Sequence, residues 1–335
     1  MQKNRQDKYS SPIQATLTGI MDLFRKEKPS GQLKPSDRLE GKTVLIDGAS
    51  SGLGHATAIG LARLGARVIM ACRTGIPEKG EAVRKKSGSR DVYMIPVDLL
   101  DIDSIRELAG IVKDKFAPID ILILNAGVVP RKGRQTKYGL EEMFMVNYLA
   151  KFIFINLLLE YGCLRTDGSS APRIIFVSSE AHRNPTEIDW QSFGKFEPYS
   201  IGKAMEHYSN NKLLLTTMAV ELSRRLNKNG HVNCSVLALC PGPINSNIAR
   251  EAPKIFHPLM KLVFGIFFKS PAKASVPILY FAASPDFNDI PFDYFFLSTR
   301  RPVDEKASDP TNGRRLWEMS EELLSGLGVK FGMGG

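Results

Sequence analysis

Thr43-Val44-Leu45-Ile46-Asp47-Gly48-Ala49-Ser50-Ser51-Gly52-Leu53-Gly54 is the stretch on which the reading of this chain turns. A short apolar run ends in three glycines spaced G-x-x-x-G-x-G, and a helical pattern follows through Leu64. Glycine lets the backbone bend tightly and approach a pyrophosphate without a Cβ in the way. The helix that follows offers unpaired N–H groups and the positive end of its dipole. Gly48, Ser50, Ser51, Gly52, Leu53 and Gly54 therefore form a candidate phosphate cradle. A glycine turn that only lets a helix pack closely on a strand looks the same locally, so the rest of the chain has to decide.

Outward from this turn the pattern alternates. Apolar, β-branched runs at Arg67–Ala71, Val92–Pro96, Ile121–Leu124, Arg173–Val177 and Val232–Leu239 are separated by longer stretches of helical period. Several runs are apolar on both faces, as strands covered on both sides by helices must be. Repeated strand–helix alternation implies parallel strands joined by right-handed crossovers, hence an α/β fold with a doubly wound parallel sheet. We expect one domain over residues 41–335, closing with a helix at Gly313–Leu327, and a short N-terminal arm over 1–40. In that arm Ile13, Leu17, Ile20, Met21 and Phe24 repeat at helical spacing. This stripe fits an amphipathic anchor for a membrane or partner, and equally an arm packed on the body.

The end of the second strand selects the cofactor. A site for NAD carries an acid there to bind the ribose hydroxyls. This chain has Ala71-Cys72-Arg73, and a guanidinium would instead hold a 2′-phosphate. The expectation is NADP(H), the alternative an Arg73 that only caps the strand. Asp98 and Leu99 end the third strand, where Asp98 can accept a hydrogen bond from the adenine amine or cap a turn.

Composition narrows the class. The chain has 335 residues, 43% of them hydrophobic and 24% charged, which suits a protein with a sizeable core. Four scattered cysteines give neither a disulfide framework nor a C-x-x-C zinc pattern, so no metal is expected and a reducing, cytoplasmic setting is. The net charge of +10 raises the question of nucleic acid, but the excess forms no single stripe and no nucleic-acid motif accompanies it. Part of it alternates with Phe256, Leu259, Leu262, Phe264, Phe267 and Phe268. That mixture suits an anionic membrane surface or an apolar substrate mouth, giving two candidate peripheral membrane contacts, 255–268 and 13–24.

Six motifs in order across about residues 41–250 resemble the short-chain dehydrogenase/reductase family, whose fold is Rossmann-type. Beyond the glycine turn these are Asn125-Ala126-Gly127 at the end of the fourth strand, Asn147 on a helix, Val177-Ser178-Ser179, Tyr199-Ser200-Ile201-Gly202-Lys203 as Y-x-x-x-K, and Pro241-Gly242-Pro243-Ile244-Asn245-Ser246. The resemblance implies a catalytic set of Asn147, Ser179, Tyr199 and Lys203. It extends the cofactor contacts to Asn125, Ala126, Gly127, Tyr199, Lys203, Pro241, Gly242, Ile244 and Ser246. Ser179-Glu180-Ala181-His182-Arg183 and the closing Leu316-Trp317-Glu318-Met319-Ser320-Glu321 resemble the retinol-dehydrogenase-like branch. The family also implies a substrate lid at about 243–272 and a homodimer paired through the helices of Asn147 and Tyr199.

The chemistry implied is hydride exchange between the nicotinamide and a carbonyl. Tyr199 and Lys203, four residues apart, are expected one helical turn apart, with the ammonium lowering a phenol that ordinarily titrates near ~10. Ser179 would hold the substrate oxygen, and Asn147 a water behind the lysine. The apolar lid segment points to an apolar alcohol or carbonyl such as a retinoid, steroid or lipid aldehyde, although packing on the sheet edge explains it equally well. Asp47 departs from the family, which carries Thr there. It keeps an acceptor for backbone N–H groups but adds negative charge near the pyrophosphate. On that reading Asp47→Thr retains or improves NADPH affinity. A non-catalytic NADP(H)-binding sensor or scaffold is the alternative, and Asp47 is its best support.

Overall fold

The computed structural model describes residues 31–166, 171–228, 230–242 and 270–331. Eight strands form one sheet: β1 (Thr43–Asp47), β2 (Arg67–Cys72), β3 (Val92–Pro96), β4 (Ile121–Leu124), β5 (Arg173–Val177), β6 (Ser235–Cys240), β7 (Phe292–Phe296) and β8 (Thr299–Arg301). Their spatial order is β3-β2-β1-β4-β5-β6-β7-β8, parallel throughout except for the antiparallel β7–β8 pair. Leu45 pairs with Ile69 and Leu122, and Phe176 with Ala238, so the central strands present apolar side chains to both faces.

The chain winds outward from β1 to β3, then returns to place β4 on the other side of β1. This reversal opens a crevice beyond the carboxyl ends of β1 and β4, where such sheets bind ligands. Asp47 ends β1 and Asn125 follows β4, so both stand at its floor.

Helices cover the two faces. One layer holds α1 (Gly52–Arg63), α2 (Glu78–Ser87) and α6 (Pro271–Ala283). Gly60 lets α1 lie against α6, because a Cβ there would meet Leu279 Cδ1 at 2.4 Å. The other layer holds α3 (Ile102–Lys115), α4 (Glu142–Glu160), α5 (Ile201–Leu226) and α7 (Pro310–Gly326). α4 is long and apolar enough to cross a membrane by composition, yet 89% of its apolar window is buried against the sheet. Apolar side chains on every side are what a helix buried on all sides requires. All four cysteines are free and buried.

Two boundaries differ from expectation. The sixth strand starts at Ser235 rather than Val232, because His231 to Asn233 form the approach to it, with Asn233 and Cys234 N–H groups donating to Asn227 Oδ1. The last helix starts at Pro310, where the Asp309 side chain accepts from Thr311 N and fixes the first turn. β7 and β8 were not anticipated.

Candidate active site

The glycine turn lies where the first strand meets α1, and its glycines are used structurally. Gly48 has φ +62° and Gly52 φ +57°, in the left-handed region. A Cβ on Gly48 would lie 2.9 Å from Ala126 Cα, and one on Gly54 2.5 Å from both Asn125 Nδ2 and Gly48 O. The first turn of α1 carries no acidic side chain. A cradle closed to Cβ atoms that opens onto an acid-free helix start fits a dinucleotide pyrophosphate.

The turn is laced to the end of β4. Asn125 Nδ2 donates to Asp47 O at 3.0 Å and Gly48 O at 3.2 Å. The Asp47 carboxylate accepts from the backbone N–H groups of Asn125 and Ala126 at 2.5 and 2.6 Å through Oδ1. Its other oxygen faces Lys151 Nζ at 3.8 Å, with both side chains almost fully buried. The charge of Asp47 is thus buried beneath the turn, with a cation beside it. Asp47→Thr would therefore also leave the Lys151 ammonium buried without this carboxylate, a cost that the sequence alone does not show.

Around this floor, Ser50 lies beside the Cys72 thiol at the end of β2, and Arg73 stands exposed just beyond. Asp98 Oδ1 accepts from Leu100 N at 3.0 Å, so the carboxylate caps its own turn, and Leu99 packs on the core. Asn147 is buried in a π-helical stretch of α4, Met145–Leu149. Its Oδ1 accepts from Val128 N at 2.8 Å and its Nδ2 donates to Val128 O at 3.0 Å, fixing the backbone after Gly127. Pro241 and Gly242 follow β6, Gly242 with φ +77°. Ile244, Ser246, nearly all of the lid at 243–272 and the apolar stripe of the arm lie outside the described residues.

The structure does not bring Tyr199 and Lys203 together as expected. α5 begins at Ile201 with Ser200 as its N-cap, in extended conformation, so Tyr199 precedes the helix and the two residues share no helical turn. The Tyr199 hydroxyl donates to Glu141 Oε1 at 3.0 Å, and its ring stacks on His207 with centroids 4.1 Å apart. Burial and the Glu141 carboxylate together push this phenol well above its ordinary range. Lys203 is exposed. A tyrosine bonded to a carboxylate, with no lysine among the described groups acting on it, is poorly placed to give up and regain a proton.

Nine residues on, Tyr208-Ser209-Asn210-Asn211-Lys212 repeats the same spacing wholly within α5. The Tyr208 hydroxyl lies beside the Ser179 side chain. Lys212 Nζ lies 5.6 Å from the Tyr208 ring centroid and donates to Val177 O at 2.7 Å. One turn further, Thr216 Oγ1 meets Ser178 Oγ at 2.7 Å. Positions 208, 212 and 216 thus run along the end of β5 on one face of the helix. Burial pushes the Tyr208 phenol up, and the neighbouring Ser179 hydroxyl offsets part of that rise. Burial, with the Lys151 charge second, lowers Lys212 to about 7.

Ser179 is itself held in place. Its carbonyl accepts from His182 Nδ1 at 2.7 Å, while His182 Nε2 accepts from Asp304 N at 3.3 Å. These bonds fit a neutral ring, and burial holds His182 down to about 4. The sequence did offer a signal for the second pair. Lys212 opens the run Leu213-Leu214-Leu215, and a lysine leading into such a run has a reason to be there. Pro198 and Gly202, by contrast, mark 199–203 as the start of a helix rather than its interior.

Comparison with known proteins agrees with this geometry. A family model described as short chain dehydrogenase matches residues 42–192. Human retinol dehydrogenase 14 is 34% identical over 304 residues, covering 85% of this chain and 87% of the relative. Human retinol dehydrogenase 13 is 32% identical over 332 residues, 95% of each chain. A crystal structure of an uncharacterized protein from Mycobacterium paratuberculosis superposes with TM-score 0.66 at 30% identity, over 90% of this chain and all of that one. L-sorbose reductase from Gluconobacter frateurii, complexed with NADPH and L-sorbose, shares the fold at TM-score 0.58 and 20% identity, over 77% of this chain and 95% of that one. The cradle at the sheet reversal, the strand-end serine and these relatives converge: the chain belongs to the short-chain dehydrogenase/reductase family of oxidoreductases and resembles its retinol dehydrogenases.

Proposed function

We propose that the protein interconverts an apolar alcohol and its carbonyl using NADP(H), with Tyr208 rather than Tyr199 handling the proton. The observation that carries this reading is the buried Lys212 ammonium 5.6 Å from the Tyr208 ring and bonded to Val177 O, beside Ser179 at the end of β5.

The cofactor, when bound, supplies or takes the hydride. This chain's residues would do the rest. Gly48, Ser50, Ser51, Gly52, Leu53 and Gly54 would seat the pyrophosphate, and Arg73, exposed at the end of β2, would favour a 2′-phosphate over a plain ribose. Asn125, Ala126 and Gly127 line the adjoining floor. Ser179 would donate to the substrate oxygen and stabilise charge developing there. Tyr208 would give that oxygen a proton in reduction and take it back in oxidation. The Lys212 ammonium would make this exchange feasible by favouring the phenolate. Asn147 would keep the Val128 backbone, and with it the wall of the site, in register.

Solved relatives bound to NADP or NADPH support the cofactor reading, and relatives named as retinol dehydrogenases support an apolar substrate. The apolar residues at 255–268 would form the lid and meet a membrane surface, keeping a cytoplasmic enzyme near lipid-borne substrate. The direct experiment follows the absorbance of reduced nicotinamide across retinoid, steroid, long-chain and small polar carbonyls, with NADPH and NADH side by side. Turnover of apolar carbonyls with NADPH is the expected result. Binding without turnover of any substrate would overturn it, and turnover of small polar carbonyls alone would overturn the substrate class.

A further inference from the structure

Among the described residues, Lys151 is a buried cation near the crevice that the proposed chemistry does not use. It projects from α4, four residues after Asn147, and its side chain is 1% exposed. Nζ donates to Ala126 O at 2.7 Å and to Val146 O at 2.9 Å, a carbonyl within the π-helical stretch. The same ammonium lies 3.8 Å from Asp47 Oδ2. Ala126 is therefore gripped on both sides: Asp47 takes its N–H and Lys151 holds its C=O. Gly48, the first glycine of the cradle, rests directly on this residue, with room for no Cβ between them.

An ion pair this deep is costly to make, and costlier still to break by removing one partner. Among the described residues, Asp47 is the one carboxylate acting on Lys151. The groups facing Lys151 are Asp47 and the Lys212 ammonium, and those facing Asp47 are Lys151, Lys212 and the Cys72 thiol. An acid at the head of a phosphate-binding turn is tolerable only while its field is cancelled.

We infer that Asp47 and Lys151 act as one compensated unit that positions the Asn125–Ala126 floor and shields the phosphate cradle from the Asp47 charge, making Lys151 a positioning residue for dinucleotide binding. This rests on the reading of the glycine turn as a dinucleotide seat. The unit predicts that the two charges are dispensable together but not separately.

The test is titration of NADPH by its fluorescence into the unaltered full-length protein and into Lys151→Gln, Asp47→Asn and the double variant, with apo thermal midpoints measured in parallel. Gln at 151 keeps a donor for Ala126 O without the charge, and Asn at 47 keeps an acceptor for the two backbone N–H groups. Lys151→Gln is expected to weaken NADPH binding about tenfold or more, since it leaves a bare carboxylate under the phosphates. The double variant, neutral at both positions, is expected to recover to within about threefold of the unaltered protein. A purely structural role would lower the thermal midpoint of Lys151→Gln without changing its affinity. That result, or a double variant no better than Lys151→Gln, overturns the inference while leaving the dinucleotide reading intact. Failure of the unaltered protein to bind NADPH or NADH would overturn both. If Lys151→Gln does not fold, Asp47→Asn against the double variant gives the same comparison. A double variant that folds better and binds at least as tightly supports the unit; one that is worse on both counts overturns it.

Discussion

Two segments of this chain carry the same five-residue pattern and lead different lives. Tyr199–Lys203 and Tyr208–Lys212 have identical spacing and sit nine residues apart. Nine residues of α-helix are about two and a half turns, so side chains separated by nine point to opposite sides. One lysine therefore faces solvent and the other is buried at the end of β5. The first tyrosine lies before the helix and is bonded to a carboxylate, whereas the second stands beside a serine hydroxyl with an ammonium over its ring. A spacing motif specifies a relation between two residues. What they can do depends on which way the helix turns them.

The sharpest way to break this comparison is to remove one hydroxyl at a time. Tyr208→Phe is expected to cut turnover by about 10²–10⁴-fold, some 3–5 kcal/mol of barrier, with NADPH affinity largely kept. Tyr199→Phe in the same assay is expected to stay within about threefold of the unaltered protein. The reverse ranking would return the proton to Tyr199.

A second measurement exploits the dependence of the inner pair alone on Ser179. His182 is neutral in the folded protein and held down to about 4 from 6.5. Between those values the unfolded chain binds a proton that the folded one does not. Stability is therefore complete above about 6.5 and is lost as pH falls toward about 4, by on the order of 3 kcal/mol. His182→Gln should flatten that part of the pH–stability curve in denaturant titrations and lower turnover at neutral pH. An unchanged slope would remove His182 from the account.

The smallest effect concerns the outer pair. Tyr199→Phe takes a donor from Glu141, which is 3% exposed and also caps the start of α4 through Phe144 N. We expect a loss of about 1–2 kcal/mol by chemical denaturation. No loss would mean that water replaces the phenol and that the contact is incidental.

The sheet was largely readable in advance because its signal is local and redundant. Val92–Pro96, Ile121–Leu124 and Arg173–Val177 announce themselves by β-branched runs between polar turns, and the observed strands have those same ends. β7 was missed because Phe292-Asp293-Tyr294-Phe295-Phe296 follows a proline and holds an acid that only its Arg300 partner explains. β8 is three residues long and polar, a strand only because β7 is beside it. Ser179 and Asn147 were legible as members of short local patterns. The choice between two tyrosines was not, because it rests on where a helix starts. That boundary is set by Pro198, Ser200 and the burial of Asn211 to Ser223, the last a tertiary fact. Lys151 carried no local signal, since its meaning depends on Asp47, 104 positions away in sequence but 3.8 Å away in space.

The four sequestered thiols give the molecule a built-in clock. Burial raises Cys72, Cys163 and Cys240 to about 11 and Cys234 to about 12, so almost no thiolate exists at neutral pH and none is within reach of a reagent. An alkylating agent can then modify this protein only as fast as it opens. Because Cys72 touches the glycine turn while Cys163, bonded through its carbonyl to Ile119, and Cys234, just before β6, lie near the amino ends of the strands, the order in which they react would separate a breathing cleft from a melting core.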